Sequence, residues 1–239
     1  MSRERLMRTA ALLGDGAMAR LAASHVLLVG LGGVGGHVLD ALVRTGVGAL
    51  TICDCDRISE SNINRQLLAT ARTVGRMKTE VAAEHCGEIS DDVNITVHSE
   101  RVTAAEAGAL LESSRFDLVI DAIDDVSAKV ALAYEATVRG IPILTCLGTG
   151  NRLDPRAFRF TDIARTSGCP LARTVRLRLR DLGVKHLRVL VSDELPHIPK
   201  DESIRIGTVA YVPSVAGLLL ASEAVRLLTA PAAPSEEQV

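Results

Sequence analysis

Four short motifs follow one another in the chain: Gly30-Leu31-Gly32-Gly33-Val34-Gly35, Asp54-Cys55-Asp56, Asn62-Ile63-Asn64-Arg65-Gln66 with Lys78, and Asp121-Ala122-Ile123-Asp124. Glycines let a backbone approach phosphate oxygens, and a helix opening at that point adds unpaired N–H groups and a favourable dipole. By itself such a loop does not separate NAD from ATP. An acid closing the next strand suits ribose hydroxyls, which points to Asp54; Asp56, two residues on, either assists or caps a turn. Arg65 brings a planar fork and Lys78 a compact charge, both suited to phosphate. Hydride transfer has no need of two cations aimed at a terminal phosphate. ATP cleavage has, because negative charge builds on the departing pyrophosphate. Asp121 and Asp124 close a later strand, where one carboxylate suits a Mg²⁺ bridging phosphates. Asp125 and Ser127 read instead as caps of the helix that follows.

Those residues need a scaffold that brings strand ends together. Residues 5–23 read as an amphipathic helix through Leu6, Leu12, Leu13, Met18 and Leu21. Strands are expected over 25–30, 49–54, 93–98, 116–120 and 141–146, with helices over 34–45, 78–89, 104–112 and 127–139 between them. Strands alternating with helices imply an α/β fold with a Rossmann-like, doubly wound, mostly parallel sheet. Beyond it, 187–192 and 209–212 read as strands of an additional C-terminal α/β portion, and 215–228 as an apolar helix. A single domain over 1–230 is expected, followed by a polar, Pro/Ala-rich tail, 231–239, read as disordered.

At 239 residues with 47% hydrophobic content and a formal charge of −2, the chain has the composition of an ordinary soluble globular protein. No uninterrupted apolar run has the length of a membrane span, and Asp15 and Arg20 interrupt any signal-peptide core, so a cytoplasmic location is expected. Five cysteines (Cys53, Cys55, Cys86, Cys146, Cys169) form no Cys-x-x-Cys pair, which argues against a four-thiolate zinc site and favours reduced thiols. Charge is uneven. Residues 152–188 carry ten Lys/Arg against three acids, a local +7 that leaves −9 elsewhere. This basic segment either meets a polyanion or is a solvated face whose arginines reach acids elsewhere.

The motif order resembles the ThiF/MoeB/ubiquitin-activating superfamily of adenylating enzymes. The resemblance implies that Gly30, Gly32, Gly33 and Gly35 form the phosphate loop and that Asp54 holds the ribose. It gives Asn62, Arg65 and Lys78 the triphosphate and Asp124 the Mg²⁺. An Arg of the N-terminal helix then reaches the ATP of a partner subunit, with Arg8 preferred over Arg5, which makes the active form a homodimer. The stretches LGTGNRLDPRAFRFTDIARTSGCPLARTVRLRLRDLGV and YVPSVAGLLLASEAVRLL are similar to the tRNA threonylcarbamoyladenosine dehydratase (TcdA/CsdL) group, so the resemblance spans roughly residues 5–228. What it implies is ATP-dependent adenylation of the threonyl carboxylate at tRNA position 37, then cyclisation with net loss of water. The basic segment 152–188 would follow the tRNA backbone. Cys169 is read as a loop thiol, His186 and His197 as non-catalytic, and a sulfur-transfer protein partner is left open. Three other readings stand beside this one: an adenylyltransferase for the C-terminus of a ubiquitin-like sulfur carrier, a nucleotide-binding scaffold, and, last, an NAD dehydrogenase.

Overall fold

The computed structural model describes residues 3–201 and 203–231. Seven strands form one sheet: β1 (His25–Val29), β2 (Ala49–Cys53), β3 (Asn94–His98), β4 (Leu118–Asp121), β5 (Ile143–Cys146), β6 (Phe158–Asp162) and β7 (Arg188–Ser192). Their spatial order is β3-β2-β1-β4-β5-β7-β6, all parallel except β6, which runs antiparallel to β7. The sequence-based expectation of a doubly wound, mostly parallel sheet therefore holds. Eight α-helices accompany it among the described residues: α1 (Arg3–Leu13), α2 (Asp15–Ala23), α3 (Gly35–Thr45), α4 (Lys78–Ile89), α5 (Ala107–Glu112), α6 (Val126–Val138), α7 (Pro170–Asp181) and α8 (Tyr211–Thr229).

Period-two alternation splits the side chains of the inner strands between two cores. Val26 and Leu28 of β1, Leu50 and Ile52 of β2, Leu118 and Ile120 of β4 pack with α2, α3, α4 and α8. Their neighbours Leu27, Val29, Cys53 and Val119 pack with α5, α6 and α7. Strand order runs outward from β1 through β2 to β3, then resumes on the other side of β1 with β4 and β5. The crevice between β1 and β4 is thus the topological switch point, where sheets of this kind bind ligands beyond the strands' carboxyl ends.

Three expectations are corrected. The helix read over 5–23 is two helices, because Gly14 breaks it at φ 81°. Residues 209–212 are no strand: Val209 precedes α8, and Tyr211 and Val212 open it, with Pro213 in the first turn where it has no N–H to lose. Residues 158–162 form the antiparallel edge strand that sequence reasoning did not mark out. The tail read as disordered lies outside the described residues beyond Pro231.

By length and composition α8 is the one described helix able to cross a membrane. Here it is a core helix, burying Val212, Ala216, Leu220, Ala221 and Ala224. Its buried Glu223 takes Arg226 of the same helix at 2.7 Å and Arg188 of β7 at 2.6 Å. The Arg226 hydrogen bond, with Arg188 behind it, holds this carboxyl below its ordinary value of 4.5. A depressed acid contributes stability that is complete above the unfolded value and lost as pH falls through the folded one. Thermal melts of the protein and of Glu223→Gln are therefore expected to differ above pH 4.5 and to converge in more acidic buffer. A gap that stays constant into acid would contradict this role for the carboxylate.

Candidate functional site

The last residues of three adjacent strands stand level, since Val29 of β1 pairs with Cys53 of β2 on one side and Asp121 of β4 on the other. Everything immediately following them projects from one edge of the sheet. These are the Gly loop after β1, Asp54 and Asp56 after β2, and Asp124 after β4. Two glycines of the loop are required sterically. Gly30 has φ 94°, and a Cβ there would lie 2.7 Å from the Ala122 carbonyl oxygen. A Cβ on Gly35 would run into the Gly30 carbonyl oxygen, so only glycine lets α3 start this close to β1.

Asp54 ties the edge together. One carboxylate oxygen accepts the Leu31 N–H at 2.7 Å and the other the Asp56 N–H at 2.9 Å. Lys78, the first residue of α4, is 5% exposed despite its charge. Its Nζ donates to Asp56 at 2.8 Å and stands 3.5 Å from Asp54. The Lys78 hydrogen bond outweighs partial burial and holds the Asp56 carboxyl below the ordinary carboxylate range. A buried ammonium is thus stored beside the Gly loop on acids that also orient its backbone. Arg65, half-buried, donates to the Ser61 carbonyl at 2.9 Å and to Asn64 Oδ1 at 2.8 Å. Asn62 Oδ1 accepts the Ser59 N–H in a capping box, so half of that amide is already engaged in shaping the turn that presents Arg65.

The two aspartates after β4 divide their work. Asp121 is fully buried, with Lys129 Nζ 2.8 Å from both its oxygens, and the same Nζ donates to the Cys146 carbonyl at 2.9 Å. Burial pushes the Asp121 carboxyl up, while Lys129 pulls it back. It is a structural pair stitching β4, α6 and β5, which leaves Asp124, exposed, as the carboxylate that faces solvent at this edge. Asp125 caps α6 as expected, accepting the Ala128 N–H at 2.8 Å, whereas Ser127 accepts a hydrogen bond from Arg178 instead. Sequence reasoning missed the Asp121–Lys129 pair; its only trace is a lysine amid the apolar residues of α6.

At the N-terminus, Arg5 donates to the Val43 carbonyl at 3.0 Å, at the end of α3 away from the Gly loop. Arg8 is exposed and makes no hydrogen bond or ion pair with the described residues. The basic segment proves not to be one surface. Arg156 pairs with Asp154, Arg159 with Asp193, Arg188 with Glu223, and Arg152 is buried. Arg165, Arg173, Arg180 and Lys185 are exposed, around α7, without an acid partner among the described residues. An open groove of about 780 Å³ lies along Thr166–Arg178.

All five cysteines are free, and burial pushes the thiols of Cys53, Cys86 and Cys146 up to about 12. Such thiols are inert packing groups. Cys169, 5% exposed, precedes Pro170 at the start of α7 in the second core.

Comparison with known proteins decides among the uses of such an edge. The model of the ThiF family matches residues 4–239. The chain belongs to the ThiF family. Among characterised ThiF-type proteins, the tRNA threonylcarbamoyladenosine dehydratase of Escherichia coli K12 is 40% identical over 183 residues, 76% of this chain and 68% of that protein. Its namesake in Bacillus subtilis 168 is 32% identical over 229 residues, 89% of this chain and 90% of the relative. In three dimensions, the crystal structure of E. coli TcdA with ATP superposes with a TM-score of 0.89 at 34% identity, covering 95% of this chain and 94% of the other. The ThiF-type fold read from the motifs is therefore the observed one.

Proposed function

We propose that this chain is an ATP-dependent tRNA threonylcarbamoyladenosine dehydratase. The observation that carries the reading is near full-length likeness to an enzyme of that name with ATP bound, joined to a phosphate loop flanked by a buried lysine. The phosphates of ATP lie on Gly30, Gly32, Gly33 and Gly35 and at the N-terminus of α3, with the ribose on Asp54. Arg65 and Lys78 face the phosphates, assisted by Asn62; Asp56 holds Lys78 until ATP arrives. In the first step a threonyl carboxylate oxygen attacks the α-phosphorus, and the bond to the bridging oxygen breaks to release pyrophosphate. Charge growing on that leaving group is what the fixed cations stabilise. The neighbouring carbamoyl group then attacks the activated carboxyl carbon, loses its proton to solvent, closes the ring and expels AMP, which carries away the carboxylate oxygen. Both reacting groups sit on one nucleoside, so the second step asks little beyond a held geometry.

Asp124 fits Mg²⁺ as one exposed carboxylate; no group of three or more potential ligands exists among the described residues, and Mg²⁺ bound to a nucleotide takes its other ligands from phosphate and water. The ion would add charge neutralisation at the phosphates. The exposed cations around α7 suit tRNA phosphates, which give affinity without reading sequence. A cytoplasmic location fits the same substrate.

Arg8 rather than Arg5 is the residue that reaches a second subunit's ATP, because Arg5 is held by α3. Arg8→Ala and Lys78→Ala homodimers should each be nearly inactive. Subunit exchange between equal amounts should restore about a quarter of wild-type turnover, since each mixed dimer has one intact site. No recovery in verified mixed dimers would place Arg8 outside a shared site. Pyrophosphate release should rise with tRNA bearing threonylcarbamoyladenosine and stay at background with a ubiquitin-like carrier ending in glycine. The reverse would favour the carrier-activating adenylyltransferase.

A further inference from the structure

Besides Lys78, two cations are buried among the described residues, and they are treated differently. Lys129 has two carboxylate oxygens and a carbonyl. Arg152 is 3% exposed, yet its Nε and Nη1 find no hydrogen-bond partner among the described residues. A guanidinium does not shed its charge to suit its surroundings, and a buried one without an anion is costly. The acids within this loop or bonded to it are committed: Asp154 to Arg156, and Glu194 to the N–H groups of Leu153 and Asp154 and to His197. A structural plug would be paired as Lys129 is.

The position of Arg152 is built with care. It follows β5, whose Thr145 is level with Asp121 of β4, so its loop leaves the same carboxyl edge next to the Asp124 loop. Asn151, at φ 58°, accepts the Gly207 N–H at 2.6 Å and donates its side-chain amide to the Arg205 carbonyl at 3.2 Å. Its backbone bonds Gly207 and His197, each at 2.8 Å. On the far side, Glu194 clamps the next two N–H groups. The chain then runs from Gly207 to Thr208, whose carbonyl takes Asn64 beside Arg65, and on to Pro213, which lies where a Cβ on Gly33 would point. One continuous set of contacts joins the Arg152 loop to the phosphate loop.

We infer that Arg152 binds the threonyl carboxylate of the modified tRNA and holds it for attack on ATP. This rests on the dehydratase reading above. The first step needs two anions side by side, and the phosphates already have Arg65 and Lys78; the second anion is a planar carboxylate, which a guanidinium fork matches. Access passes the irregular stretch Arg205–Gly207 that lies over Asn151. Negative charge leaves the carboxylate as it attacks, so Arg152 grips the ground state harder than the transition state. Its loss should therefore raise KM for tRNA more than it lowers kcat.

An oxyanion on Arg152 could also come from ATP, and binding measurements separate the two. Wild type should bind tRNA bearing threonylcarbamoyladenosine roughly ten- to a hundredfold more tightly than the same tRNA with its threonyl carboxylate converted to a carboxamide. Arg152→Gln should bind both alike, with ATP affinity unchanged. Should Arg152→Gln fail to fold, Arg152→Lys carries the test and should show a reduced preference, because it keeps the charge without the fork. A variant that keeps the full preference overturns the inference, and a variant that loses ATP affinity instead assigns Arg152 to phosphate. Wild type that binds the acid and the carboxamide alike also overturns the inference, whereas wild type that leaves the mass of the modified nucleoside unchanged in the presence of ATP would overturn the dehydratase reading itself.

Discussion

Lys78→Ala is expected to slow ATP-dependent dehydration by roughly 10²–10³-fold, the usual loss when one preorganised charge-stabilising group is removed from a transition state. The side chain is held in place before ATP binds, buried and bonded to Asp56 with Asp54 at 3.5 Å. No reorganisation is needed at the moment pyrophosphate leaves. Because the loss falls on charge that develops in the transition state, single-turnover rate should fall far more than ATP affinity. Asp56 loses the partner that depresses its carboxyl, but its side chain is 56% exposed and water replaces the ammonium there, while the more buried Asp54 keeps the N–H groups of Leu31 and Asp56. The fold should therefore survive. A Lys78→Ala protein that turns over at the wild-type rate would remove Lys78 from the chemistry.

Lys129→Met is the substitution expected to harm the fold most. It strands Asp121, 0% exposed, without its counter-charge, and breaking one side of a buried pair costs about 3–5 kcal/mol. For a chain of this size that is a fall of roughly 6–20 °C in melting temperature. Without the lysine, burial is opposed only by weaker hydrogen bonds such as that from the Ile123 N–H, and the Asp121 carboxyl is pushed further up. An acid with a raised folded value binds its proton better in the folded state, so the variant should lose less stability in acid than at neutral pH. Asp121→Leu combined with Lys129→Met should recover most of the loss, since an apolar pair of similar volume replaces the ions. Thermal melts of the three proteins at two pH values check all of this. Equal melting temperatures for wild type and Lys129→Met would show the pair to be dispensable.

Much of this was legible in the residues themselves. Strand and helix periodicities located six of the seven strands, β1 to β5 and β7, most of them as short apolar runs and β3 by its alternation alone. The Gly loop declared itself through its place between such a strand and a helix. What escaped was set by contacts distant in sequence. Phe158 and Phe160 alternate with Arg159 and Thr161 in a strand's pattern, but the charges around them masked an edge strand whose partner, β7, lies 26 residues beyond Asp162. Nothing local marks Lys129 or Arg152 as buried: Lys129 draws no reading, and Arg152 counts only as one charge of the basic segment. Lys129 is buried by a partner at the end of β4, and Arg152 by a loop pinned to Glu194 and Gly207. Gly14 alone could not declare a helix break, since a glycine is tolerated inside a helix unless the chain must turn.

The central claim is the dehydration itself. Purified protein, ATP, Mg²⁺ and tRNA bearing threonylcarbamoyladenosine should yield, after digestion, a nucleoside lighter by the mass of one water, with AMP and pyrophosphate formed in equal amounts and Lys78→Ala nearly inert. An unchanged nucleoside mass from folded protein that binds ATP would contradict the account.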